Sequence, residues 1–65
     1  MKFAKLRGAI REKFGTQAAF ADALDMSPAT LSKKLSGQTE WTRKEMEDAG
    51  RLLGFSPSDN HTYFF

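Results

Sequence analysis

The sequence predicts an all-α fold: one domain over residues 1–65, built of four to five short helices around a central helix-turn-helix at about residues 17–35. Three observations predict it. Apolar residues recur at three- and four-residue steps, the period of an amphipathic helix. Serine, threonine, proline and glycine stand where helices begin and end. Two of the helices so delimited are short and separated only by Asp25-Met26-Ser27-Pro28, the spacing of two helices joined by a tight turn.

The first helix is expected from about Phe3 to Phe14, with Phe3, Leu6, Ile10 and Phe14 as its apolar stripe. Gly15 follows, suited to the left-handed residue just past a helix end. Thr16 is the expected N-cap of the second helix, Gln17 to Leu24, whose interior is mostly alanine and favours helix and close approach. Ser27 then caps the third helix. Pro28 stands at its first position, where a missing N–H does no harm. Met26 is placed to pack on Leu31 as a hydrophobic staple. The third helix runs to about Leu35, and Ser36-Gly37 ends it. Gln38 to Glu40 form a polar loop. Thr42 and Glu45 have capping-box spacing, with a second staple from Trp41 to Met46. The fourth helix continues to Gly54, with Glu47 and Arg51 set as an i,i+4 ion pair. Ser56-Pro57 starts one more short turn; Asn60, His61 and Thr62 are poor helix formers, and the apolar Tyr63-Phe64-Phe65 needs cover.

At 65 residues the chain holds one domain with a modest core. It has no cysteine, hence no disulfide and no thiolate metal site. No apolar signal segment opens it, and no stretch would span a membrane. Catalysis is not expected: there is no Gly-rich phosphate loop, His61 is the single histidine and has no partner at catalytic or ligand spacing, and so small a bundle leaves little room for a pocket. No metal, cofactor or small-molecule ligand is anticipated.

The formal net charge of +2 says little by itself. Its distribution says more: Met26 to Thr39 contains Lys33 and Lys34 and no acid, while Asp22, Asp25, Glu45, Glu47 and Asp48 lie elsewhere. Leu31 and Leu35 must face the core. At about 100° per residue Lys33 points away from them, with Ala29, Thr30 and Ser36 near the same outer face. Such a face suits a helix that enters the DNA major groove. Pro28, Ala29, Thr30 and Lys33 are the base-contact candidates, through thymine methyl contacts and guanine acceptors. Gln17, Ser27, Ser32, Lys34, Ser36, Gln38, Thr39, Arg43 and Lys44 are candidates for the DNA backbone, contacts that orient without reading sequence. Arg7 and Arg11 are expected to face solvent, and Asp22 and Asp25 to be structural or solubilising.

Lys5-Leu6-Arg7-Gly8, Lys13-Phe14-Gly15-Thr16-Gln17, Phe20-Ala21 and Thr30-Leu31-Ser32 with Leu35 resemble the Cro/repressor-type (XRE-like) helix-turn-helix proteins, in particular short phage-derived Cro-like regulators of Gram-positive bacteria. Leu52-Leu53-Gly54-Phe55 and Tyr63-Phe64-Phe65 are similar to the ending of that group. The resemblance implies a lambda-repressor-like bundle that binds a double-stranded operator in the bacterial cytoplasm, as a transcriptional repressor and usually as a dimer. It implies a contact role for Gln17 and for the outward positions Pro28, Ala29, Thr30 and Lys33. The chain departs from the pattern at Asp25, where glycine is usual, and at Pro28 and Ala29, where glutamine or arginine occur. Specificity would then lean on Lys33 and on DNA shape.

A weak homodimer is expected through the tail, residues 55–65, with Phe55, Tyr63, Phe64 and Phe65 as the adhesive residues; the same tail could instead cover its own core. The alternative to a DNA reader is a helical protein-binding module, such as an antirepressor or antitoxin-like partner.

Overall fold

A computed structural model of the chain describes residues 2–65. It is all-helical, as the sequence predicts. Among the described residues five helices follow in order: α1 (Ala4–Phe14), α2 (Gln17–Ala23), α3 (Pro28–Ser36), α4 (Arg43–Leu53) and α5 (Asn60–Phe64). A 3₁₀ turn, Pro57–Asp59, leads into α5.

The predicted caps close these helices. The Thr16 hydroxyl accepts from the Ala19 N–H at 3.1 Å, and the Ser27 hydroxyl from the Thr30 N–H at 3.1 Å. Thr42 and Glu45 form the reciprocal capping box, at 3.1 and 2.8 Å. Each bond satisfies a helix N–H that has no partner within its own helix. Gly37 ends α3 at φ 87°, a conformation that side chains with a Cβ rarely adopt.

One core joins all five helices. Leu6 and Ile10 of α1, Phe20 and Ala21 of α2, Leu31 and Leu35 of α3, Ala49 and Leu53 of α4 and Phe64 of α5 are all buried. Gly50 is buried because Phe55 crosses it: a Cβ there would lie 3.1 Å from the Phe55 ring.

The tail is the main difference from the sequence expectation. Asn60, His61 and Thr62 are helical despite weak propensity. Tertiary packing overrides propensity here. Phe64 is buried against Trp41, ring centroids 5.1 Å apart, and Tyr63 stacks on Phe55 at 4.1 Å. Phe55, Tyr63 and Phe64, expected as dimer adhesive, are thus engaged with the chain's own interior. Phe65 stays 82% exposed.

The α4 charges also pair differently from expectation. Arg51 meets Asp48 at 2.8 Å rather than Glu47, and Glu47 meets Arg43 at 3.5 Å. Among the described residues no helix is long and apolar enough to cross a membrane.

Candidate interaction face of α2 and α3

The turn between α2 and α3 is closed by backbone. The Met26 N–H donates to the Ala21 carbonyl at 2.9 Å and the Asp25 N–H to the Asp22 carbonyl at 3.0 Å. Asp25 holds φ 60°. The left-handed region is open to aspartate at some cost, so the turn forms without the usual glycine.

This turn sets α3 with Leu31 and Leu35 inward. Pro28, Ala29, Thr30, Ser32, Lys33 and Ser36 are exposed, as expected from the helical period. The Ser27 hydroxyl also donates to Thr30 Oγ1 at 2.9 Å, and the Ser36 hydroxyl donates to the Lys33 carbonyl at 3.0 Å. Both side chains are thereby drawn onto their own helix. Gln17 is exposed at the start of α2, and Gln38 and Thr39 are exposed in the loop, their N–H groups turned back to the Lys33 carbonyl.

Lys34 is not where its predicted phosphate role needs it. It is 7% exposed, pairs with Glu45 at 2.9 Å and donates to the Glu40 carbonyl at 3.0 Å. Its charge is neutralised inside the fold. Partial burial raises the Glu45 pKa, but the Thr42 N–H, the Lys34 hydrogen bond and the Lys34 charge outweigh it and hold the carboxyl below its ordinary value. Arg43 and Lys44 are exposed but face Glu47 at 3.5 Å and Asp48 at 3.1 Å. Hydrogen bonds from Lys44 and then Arg51 lower the Asp48 pKa. Of the four cations on or after α3 proposed for DNA, only Lys33 lacks a carboxylate within ion-pair distance among the described residues. Asp22, Asp25 and Glu40 are exposed on the flanks of the same motif.

Arg7 is not the solvent-facing residue its sequence position suggested. It is half-buried, and its guanidinium donates to the Leu35 carbonyl at 2.9 Å and the Lys2 carbonyl at 3.3 Å. With Lys34 it clamps the last turn of α3 to α1 and to the start of α4. Nothing in the local sequence signals the Arg7–Leu35 contact, whose acceptor is a backbone carbonyl 28 residues away. The result is a fixed helix presenting small, weakly charged side chains. Lys33 is the cation on this face that has no carboxylate partner among the described residues.

A family model described as "Protein of unknown function (DUF739)" matches residues 1–65. The solution structure of the modulator of repression (MOR) of the temperate bacteriophage TP901-1 from Lactococcus lactis is similar, at 39% identity and a TM-score of 0.88. The match covers 98% of this chain and 86% of that one. No curated protein matches the chain in sequence. The chain belongs to the DUF739 family.

Proposed function

We propose that this member of the DUF739 family is a phage regulator that modulates repression by binding another protein, with the outer face of α3 as its contact surface. The partner this reading requires is a repressor of the same phage, met in the bacterial cytoplasm. The observation that carries it is the likeness, over nearly the whole chain, to a protein named a modulator of repression.

The charge of the face favours a protein partner over DNA. Much of the affinity of a DNA binder comes from Lys and Arg side chains that neutralise phosphates. Here Lys34 is internally paired, Arg43 and Lys44 have carboxylate neighbours, and Asp22, Asp25 and Glu40 are exposed acids in α2, the turn and the loop that flank α3. Ala29, Thr30 and Pro28 instead offer a shallow surface on which another side chain can seat.

Operator binding through Thr30 and Lys33 is the second reading. It is favoured by the helix-turn-helix arrangement and by the Cro/repressor resemblance. One experiment separates the two. The purified chain is mixed with the repressor of its own phage and, separately, with randomised duplexes at low and high salt. The expected outcome is a complex with the repressor that survives salt and is lost on Ala29→Glu, with no duplex motif enriched. A near-palindromic motif bound by the chain alone, with affinity falling steeply as salt rises and no repressor complex, would replace the protein reading with the DNA one.

A further inference from the structure

A second surface lies where the beginning and end of the chain meet, bordering the C-terminal end of α3, where the Lys2 side chain lies against Gly37. The start of α1 and the helix α5 border an open groove of about 550 Å³. Phe3, Tyr63 and Phe64 form its apolar floor, Phe65 stands at its edge, and Lys2 and Lys5 are exposed on its rim. No acidic side chain lines it among the described residues.

Two features mark it as more than a seam in the packing. Phe65 is the one large apolar side chain left mostly in water, at 82% exposure among the described residues. Phe3 holds φ 57°, a left-handed conformation that is a genuine outlier for a bulky residue. The Phe3 ring lies edge-on to Trp41, ring centroids 6.4 Å apart.

We infer that this groove receives an acidic amphipathic helix of a protein partner, its apolar stripe on Phe3, Tyr63 and Phe65 and its carboxylates at Lys2 and Lys5. Charge complementarity selects this occupant: an apolar floor whose charged lining is Lys2 and Lys5 attracts an apolar stripe flanked by acids and repels one flanked by bases. The inference rests on the protein-binding reading but on a different face of the molecule.

The test uses the untagged full chain and two synthetic amphipathic peptides of about four helical turns, with one leucine stripe and either glutamate or lysine flanks. Trp41 is the only tryptophan and touches both Phe3 and Phe64 in edge-on aromatic contacts, so its fluorescence reports occupancy. The acidic peptide is expected to give a saturable Trp41 change, the basic peptide none. A Lys2→Glu, Lys5→Glu variant is expected to weaken the acidic peptide by about tenfold while keeping the far-UV spectrum. Phe65→Ser is expected to weaken it as well, and Ala29→Glu, on α3, to leave it unchanged. Equal binding of both peptides, or of the acidic peptide by the charge-reversed variant, would overturn the groove. A peptide-binding chain that forms no complex with the repressor would sink the α3 reading and leave the groove standing.

Discussion

Two side chains decide how α3 is presented, and both work against ordinary preference. Asp25 occupies the left-handed region, where glycine fits without strain. Asp25→Gly is therefore expected to stabilise the domain by about 0.5 kcal/mol, the relief of strain being partly offset by the freer unfolded chain. Thermal unfolding would show a melting point higher by a few degrees; a fall would mean that the carboxylate makes a favourable contact in the turn. Lys34 is a buried cation, and removing its counter-charge strands it, which is the expensive way to break such a pair. Its identity as a lysine was readable; its environment was not, because the helical period puts residue 34 on the margin between core and surface, and only the position of α4 decides.

At the scale of elements, the punctuation of the chain was legible and the connections between elements were not. Ser27, Thr16 and the Thr42–Glu45 box begin their helices as the sequence rules require, since capping is settled within a turn of chain. Arg7 on the Leu35 carbonyl and Glu45 on Lys34 are contacts between helices, for which short-range pattern carries no signal. The helix at Asn60–Phe64 escaped for the same reason, being held by what Tyr63 and Phe64 pack on. Glu45 serves two elements at once, capping α4 and pairing with α3. Its carboxyl titrates below the ordinary value when folded, so its contribution is present above the unfolded pKa and is lost as pH falls through the folded one. Glu45→Gln is expected to cost about 1–2 kcal/mol at neutral pH, a difference from the parent that narrows as pH falls through the carboxylate range. Urea melts at pH 7 and pH 3 would measure it; a gap that stays constant across that range would exclude the charge as its cause.

For the molecule as a whole, size governs. A domain of 65 residues has few buried side chains to lose. Phe64 joins α5 to the core that α1 to α4 share, against Trp41 and Phe55. Phe64→Ala is expected to remove about 3–4 kcal/mol, a large part of the stability available to so small a fold. Circular dichroism would then show partial or complete loss of cooperative melting near physiological temperature; a near-parental transition would show α5 to be an appendage rather than part of the core. The clamp on α3 has a consequence for recognition. Because Arg7 and Lys34 tie down its final turn and Ser27 caps its first, the helix is ordered before any partner arrives. On the proposed reading, association on its outer face would be a rigid-body event, without the entropy loss of winding a disordered segment, and a small contact patch would retain more of its gross interaction free energy as affinity.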